Sequence, residues 1–559
     1  MTSAAAADAV LADQASRQAA DRRFWAGWRS QPARLLPLVP AIAELAVGGY
    51  KIGSLSLWRD EGDTLSAATR PVRAILALIH HQDAVHGLYY LLMHVVVAVF
   101  GTSPAALRLP SLLATAAAAA LTAVLGRRLA AASGLPAPAV TGMTAGLLYM
   151  ALPRTTWYAQ DARPYAIATL LAVGATYLLV RAWDDGGVRW WAAYALVMVL
   201  LAAMNLLAVV LLAPHALALL AVRRQASPGT PAAGTPRASG PEASGPEASG
   251  PEAGAPGTAK PAVRFRPWPA FGIAAAAVLV CITPLAVLAG GQTMQISWIH
   301  RPGPGAIAKL AGDFSGIAAL EPLILGLAAL ALVLEALRWR QPGCTLAKIT
   351  LPWLLLPPVI LMVASRVHTP VYDERYVLYC MPAIALLAAG GLSGLVRLTR
   401  PLVQPAGRLA LTAPVLLAAV IGGLLIAPQQ HIRNDSSRPD DLAKVAAVLT
   451  ARERPGDAVL YVPWAAKVVS QAYPAAYARL RDIAQLKSPE ASATLRGTTI
   501  SARALERRFL SVRRVWVIQM GNLGYTVTHL GQVEYRLLRR MRLAASWHIK
   551  SVLLSLYVR

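Results

Sequence analysis

Up to about residue 430 the apolar residues of this chain run in long stretches, with polar residues confined to the gaps between them. A half-buried strand would alternate and a surface helix would show a stripe, whereas a helix surrounded by lipid is apolar all round. About 20 apolar residues cross a bilayer. Eleven stretches are read as spans, near 35–53, 106–126, 137–153, 164–182, 190–204, 205–222, 268–290, 315–337, 349–365, 376–396 and 409–428. One further run, "HGLYYLLMHVVVAVFG" (His86–Gly101), is apolar but short, and it carries His86 and His94.

Past residue 430 the periodicity changes. "DDLAKVAAVLTARERPGDAVLYV" predicts an amphipathic helix, a Pro-Gly-Asp turn and a strand. "RRVWVIQ" (Arg513–Gln519) predicts a second strand, and "AASWHIKSVLLSLYVR" closing strands, so 430–559 is expected to be a small α/β domain. Residues 225–262, with "GPEASGPEASGPEA", are too poor in large apolar side chains to fold and are expected to form a disordered linker. Residues 1–34 form a polar tail with arginines just before the first span and no cleavable-signal layout.

Composition sharpens this. The 559 residues are 56% hydrophobic and only 14% charged, with mean hydropathy +0.48, which fits a polytopic membrane protein with one water-soluble appendage. A formal net charge of +25 would suit nucleic acid, but the arginines fall in short clusters between apolar runs, as in cytoplasmic loops. Arg127/Arg128, Arg181/Arg189, Arg223/Arg224, Arg338/Arg340/Lys348 and Arg397/Arg400/Arg408 mark alternate connections, together with the N-terminal tail, as cytoplasmic. Eleven spans from an inside N-terminus place the C-terminal domain outside. Counting 86–101 as a span would reverse the sidedness of every later loop. It is therefore read as a juxtamembrane or re-entrant helix in a first outer loop, 54–105, of a membrane domain spanning 35–428, with 225–262 as a cytoplasmic linker. Cys281, Cys344 and Cys380 are too far apart for a metal or disulfide framework, and no phosphate-cradling Gly-rich loop supports an ATP-driven reading.

The candidate chemistry lies at helix ends on the outer face. "SLSLWRDEGDTLSAATR" places Asp60, Glu61 and Asp63 within four residues. A carboxylate beside Trp58 at the water–lipid boundary can be desolvated into the range of a general base. Asp60 is read as that base and Glu61 as its support, since neighbouring side chains cannot both face one centre. "WYAQDARPYA" puts Asp161 and Arg163 at the entrance to the span that Pro164 opens. "HTPVYDERY" puts Asp373, Glu374, Arg375 and Tyr376 at the start of another. Arg163 and Arg375 suit phosphate oxygens, which guanidinium meets bidentately. Asp83, Asp313 and Glu321 are read as ordinary interfacial charges. His86, Tyr90 and His94 recur every four residues and share a helix face. Lining of a cavity or interface is preferred for them over a metal site, because the spacing lacks a metal motif.

Together these pieces resemble the GT-C superfamily of membrane glycosyltransferases, in particular the bacterial branch related to protein O-mannosyltransferases and the lipid A aminoarabinose transferase. The residues that carry the likeness are "LWRDE", "HGLYYLLMHVVVAVFGTSPAALRLPSLLA", "QDARPYA" and "DERYVLYCMPAIALLAAGGL", covering roughly 35–400. The resemblance implies a catalytic carboxylate at Asp60 with Glu61 beside it, and a further acid at Asp161. Arg163, Tyr165, His86, Tyr90, Glu374, Arg375 and Tyr376 would then bind substrate. His86 lies where the family often has a His- or Lys-Pro-Pro element, and here the prolines are missing.

The implied fold class is a polytopic α-helical membrane protein of about eleven spans, N-in and C-out, with a C-terminal extracytoplasmic α/β domain. The implied activity is inverting transfer of a sugar, mannose by family weight, from a polyprenyl-phosphate donor to a protein, lipid or wall-polymer acceptor on the outer face of a bacterial plasma membrane. A monophosphate donor requires no cofactor, although the acids could bind a divalent cation. Membrane lipids are expected partners and nucleic acid is not. A flippase for lipid-linked sugars and an envelope scaffold are the competing readings. Neither gives the outer acids a reason to cluster, and the charges lie at helix ends rather than deep within paired repeats as a transporter would have them.

Overall fold

The computed structural model describes residues 35–221, 267–338, 345–399, 409–521 and 530–559. The tail 1–34 and the linker 225–262, both expected from the sequence, lie outside the described residues.

The chain opens with α1 (Leu38–Gly49), then α2 (Arg59–Ala68), α3 (Val72–His81) and α4 (Gly87–Phe100). The bundle follows as α5 (Pro104–Ala132), α6 (Pro138–Ala151), α7 (Pro153–Ala159), α8 (Tyr165–Asp185), α9 (Val188–Met204) and α10 (Leu212–Ala221). After the linker come α11 (Pro267–Gly290), α12 (Ala306–Ser315), α13 (Glu321–Ala336), α14 (Leu346–Val367), α15 (Met381–Thr399), α16 (Leu409–Leu424) and α17 (Ile426–His431). Prolines open α5, α6 and α7, where the missing N–H costs nothing and φ is already helical. Ser103 caps α5 by accepting from the Ala106 amide.

Every stretch read as a span contains a helix, but they are not uniform. Among the described residues five segments are long and apolar enough to cross a membrane: Pro104–Ala132, Tyr165–Asp185, Pro267–Gly290, Leu346–Val367 and Glu374–Leu398. The run 205–222 is broken instead of continuous. Asn205 ends α9, donates to the Tyr376 carbonyl at 3.1 Å, and a 3₁₀ turn (Leu206–Leu211) precedes α10. The helix expected from 315 begins only at Glu321, after a positive-φ Gly316, and the helix expected to reach 428 is interrupted at Leu425. The apolar run at 86–101 becomes α4, whose Tyr89, Tyr90 and Met93 face inward against α2, α3 and α5 while Val95, Val99 and Phe100 are exposed.

The bundle centres on α5, α6, α8 and α15. Small residues let the helices touch, as in membrane interfaces generally. A Cβ at Gly142 of α6 would lie 2.3 Å from the Ala123 carbonyl of α5, and one at Gly391 of α15 would lie 1.8 Å from the Leu327 carbonyl of α13.

The C-terminal region alternates helix and strand: α18 (Leu442–Thr450), β1 (Ala458–Val462), α19 (Val468–Ala472), β2 (Arg481–Asp482), β3 (Gln485–Lys487), β4 (Thr498–Thr499), α20 (Ala502–Leu510), β5 (Arg514–Met520), α21 (Gln532–Leu538), β6 (Arg542–Ile549) and β7 (Val552–Val558). Five strands form one sheet in the order β2-β1-β5-β7-β6. The β1 pairings with β2 and β5 are parallel, and β7 is antiparallel to both β5 and β6. Both faces are covered, so β1 is buried throughout, as a mostly parallel centre requires. On one face Val459, Tyr461, Trp516 and Ile518 join α18, α19 and the α2–α4 helices in one apolar cluster. On the other, Leu460, Val515 and Val517 pack against Leu505 and Phe509 of α20 and Leu537 and Leu538 of α21. The C-terminal domain thus shares a core with the loop that carries the acidic patch.

Candidate active site

The helix bearing the acids is set by groups distant in sequence. Trp58 is extended and α2 starts at Arg59, leaving first-turn amides that need acceptors. The Arg59 amide donates to Asp440 Oδ2 at 3.0 Å, and its guanidinium grips the same carboxylate through Nε at 2.9 Å and Nη2 at 2.8 Å. Ser551 also donates to Asp440, and Arg59 Nη1 donates to the Gly521 carbonyl at 3.1 Å. Two residues before Arg59, the Leu57 amide donates to the Tyr473 hydroxyl at 3.0 Å. The start of α2 is therefore clamped by the C-terminal domain.

Asp60 follows Arg59 and faces a cavity of about 1240 Å³. Its Oδ2 accepts from Arg375 Nη1 at 3.0 Å. Arg375 is held in turn by Asp373, whose Oδ1 accepts from its Nε at 2.8 Å, and its guanidinium lies 4.9 Å from the centre of the Trp298 ring. Across the cavity Arg163 Nη2 donates to His86 Nε2 at 2.9 Å, and His86 Nδ1 is 2.7 Å from Asp83 Oδ1. Arginine can only donate, so this chain fixes a tautomer: Nε2 accepts and Nδ1–H donates to Asp83. Tyr90 donates to the other oxygen of Asp83. Lys309 bridges to Glu374 at 2.7 Å and Arg496 to Asp63 at 2.9 Å. Tyr165 and Tyr376 stand on the wall with ring centres 6.2 Å apart, and apolar lining comes from Met204, Leu206, Leu207, Ala286 and Ile296.

The other two expected catalytic acids sit behind the wall. Glu61 is fully buried and takes Arg108 bidentately, at 2.7 Å through Nε and 2.7 Å through Nη2, while also accepting from the Ala162 amide at 3.0 Å. Burial raises its carboxyl, and Arg108 outweighs that and holds it below the usual carboxylate range. Trp58, expected to desolvate Asp60, instead donates its indole N–H to Asp161 Oδ1 at 2.9 Å. Asp161 is fully buried, and its Oδ2 has no partner among the described residues. Burial pushes this carboxyl up to about 7, Glu61 adds to the rise, and the Arg438 guanidinium opposes it. A carboxyl so placed gains its proton far more readily than a free aspartate, and it holds the turn before α8 against Trp58 at the start of α2.

The sequence-nominated residues thus divide. Asp60, His86, Arg163, Tyr165, Glu374, Arg375 and Tyr376 line one cavity; Glu61, Asp161 and Tyr90 are buried beside it. His94 turns away, its Nδ1 2.9 Å from the Ala68 carbonyl, so the shared helix face does not gather the two histidines. Sequence reasoning passed over Arg108, Lys309, Trp298 and Arg496. Arg108 had a readable signal, a cation near the opposite end of a long apolar helix from its Arg127/Arg128 pair, which needs a partner wherever it is buried.

A polytopic helical bundle, broken around a charged cavity and capped by an α/β domain, is a fold this chain shares with solved structures. The structure of ArnT from Cupriavidus metallidurans in the apo state matches with TM-score 0.56 over 94% of this chain and 98% of that one, at 13% identity. The same protein bound to undecaprenyl phosphate matches with TM-score 0.56 at 11% identity, over 93% and 97%. The archaeal oligosaccharyltransferase AglB from Archaeoglobus fulgidus, in complex with an inhibitory peptide and a dolichol-phosphate, aligns more loosely: TM-score 0.46, 10% identity, 88% of this chain and 70% of that one. No protein-family model matches the chain, and no curated protein sequence does.

Proposed function

We propose that this protein is a glycosyltransferase that moves a sugar from a polyprenyl-phosphate donor to a hydroxyl acceptor of the cell envelope, on the outer face of the plasma membrane. The observation that carries the reading is the convergence of Asp60, Arg375 and Arg163, drawn from three distant parts of the chain, on one cavity with an apolar flank. The apolar side chains of Met204, Leu206, Leu207, Ala286, Ala289 and Ile296 suit a prenyl chain, and the guanidinium groups suit its phosphate. The fold shared with ArnT, one structure of which holds undecaprenyl phosphate, supports the same donor class.

In the proposed reaction Asp60 takes the proton of an acceptor hydroxyl as its oxygen attacks the anomeric carbon. The carbon–oxygen bond to phosphate breaks, and polyprenyl phosphate departs with the bonding pair. Arg375 and Arg163 stabilise the charge that develops on it. One displacement inverts the anomeric centre. Arg375 starts on Asp60, so a donor phosphate competes for that guanidinium and, in taking it, frees the carboxylate to act as a base. Glu61 and Asp161 act on geometry: one anchors α2 to Arg108, the other locks the 157–163 turn to Trp58. A divalent cation is not required, because the leaving group is a monophosphate. Mannose is the first sugar to try.

The test is transfer from labelled polyprenyl-phosphate mannose, and from other polyprenyl-phosphate sugars, to envelope extracts by purified protein in detergent. Asp60→Asn should lower the rate by roughly 10²–10⁴, the usual contribution of a general base, while the protein stays folded and donor binding is retained or tightened, because Arg375 is released from the carboxylate. Undiminished transfer by that variant removes Asp60 as the base. Donor translocation that survives Asp60→Asn, with no transfer by wild type, makes the protein a flippase instead.

A further inference from the structure

The C-terminal domain carries a second charged surface, remote from the cavity. Residues 501–559 hold ten arginines and one lysine against two glutamates. Arg503, Arg507 and Arg508 are exposed on α20, which contacts α21. Arg536 is exposed on α21, and Arg539 and Arg540 just beyond it. Arg513 and Arg542, also exposed, flank the starts of β5 and β6, and the pairing of Arg514 and Arg542 with the same Val558 puts those starts at one end of the sheet.

Ion pairing does not account for this surface. Among the described residues, Arg536 alone of these eight has a carboxylate within 4 Å, Glu506 at 3.8 Å. Residues 522–529 contain no acid by sequence. Cations near a helix C-terminus complement its dipole, which explains Arg507, Arg508 and Arg536. The same rule disfavours Arg503 in the first turn of α20 and says nothing of Arg513 or Arg542. Like charges held this close repel, and the domain tolerates the cost without counter-ions of its own.

The position says what kind of partner can reach it. The C-terminal end of β5 points at the membrane domain, since Gly521 accepts from Arg59 and α19 packs on α2. The arginines gather at the opposite end, about 20 Å away along seven residues of strand, and on the α20–α21 face rather than the face sharing the apolar cluster with α2–α4. The helices that join the domain to the bundle pack on the other face of the sheet, so this surface is turned away from them. We infer that this distal surface docks a phosphodiester-linked envelope polymer arriving from the aqueous side, whose repeating charges match an array of guanidinium forks. Such docking holds polymer on the domain that caps the cavity and raises its concentration at the protein. It does not depend on the transferase reading, because it is a binding event measured without transfer.

Fluorescein-labelled poly(glycerol phosphate) titrated into the full-length protein in neutral nanodiscs tests this by anisotropy. The expected result is binding whose log K falls linearly with log salt. It should weaken at least tenfold when Arg503, Arg507, Arg540 and Arg542, which no described group holds, are all changed to glutamine. The thermal midpoint should not move. Unchanged polymer affinity in that variant overturns the proposal. So does tighter wild-type binding to phosphatidylglycerol vesicles, which would make the surface a membrane site, or to duplex DNA of equal charge. Should the quadruple variant fail to fold, the salt slope and the competition by vesicles and DNA on wild type decide between the same outcomes.

Discussion

Three neighbouring acids in one short helix have three different environments, and environment sets what each can do. Asp60 is on the cavity with a displaceable arginine, Glu61 is neutralised by Arg108, and Asp63 is held by Arg496. Asp161 differs again, because burial raises its carboxyl toward neutral pH. Its folded pKa of about 7 lies above the ~3.9 of an unfolded aspartate, so its contribution to stability is complete below pH 4 and is lost as pH rises through 7. At 1.4 kcal/mol per unit the loss is up to roughly 4 kcal/mol. Asp161→Asn keeps an oxygen for the Trp58 indole and removes the titration. Thermal midpoints of the purified protein between pH 5 and pH 8 should fall for wild type and stay nearly level for the variant. Asp60 could be picked out from the sequence because a cluster of acids in an apolar chain is costly. Its division of labour with Glu61 and Asp161 could not, since it depends on which residues lie opposite.

Among the elements, α2 matters most, and nothing within its ten residues would hold it in place. Its polar sequence, RDEGDTLSAA, is a weak helix former with a glycine inside. Arg108 of α5 anchors one side and Asp440 the other, so the helix is positioned by contacts about 50 and 380 residues away in the chain. Asp440→Asn keeps the shape and removes the charge that holds Arg59. It should cost about 2–3 kcal/mol and lower kcat several-fold with little change in donor KM, because Asp60 is misaimed while the phosphate groups are untouched. Equal losses in kcat and donor affinity would mean that the clamp serves the whole cavity. Helix existence was readable from apolar run length, and strands at 458, 514 and 552 from short β-rich runs. The interruption at Asn205 was readable as the boundary between the runs 190–204 and 205–222, whereas the breaks at Gly316 and Leu425 were not, because they depend on what the neighbouring helices offer to the freed backbone groups.

At the scale of the molecule, the membrane bundle and the α/β domain are parts of one unit rather than two modules in series. They share an apolar cluster running from Tyr89 and Met93 through Leu442 and Trp516, and the domain supplies Leu495 and Arg496 to the cavity wall. A chain ending at residue 430 would expose that cluster and release α2. It should extract from membranes as aggregate and show no transfer; a monodisperse, active truncation would contradict the shared core. The sequence by itself determined that the chain is a helical membrane protein with a folded C-terminal appendage, because hydropathy and periodicity are local properties that lipid and water read directly. It also nominated Asp60, Arg163 and Arg375, because charged groups at the ends of apolar runs need a reason to be there. Only the tertiary structure decided that these three share one cavity, that Glu61 and Asp161 stand behind it, and that arginines scattered over forty residues form a single outward surface. Those outcomes depend on distances between residues far apart in the chain, which are settled when the helices and the sheet pack.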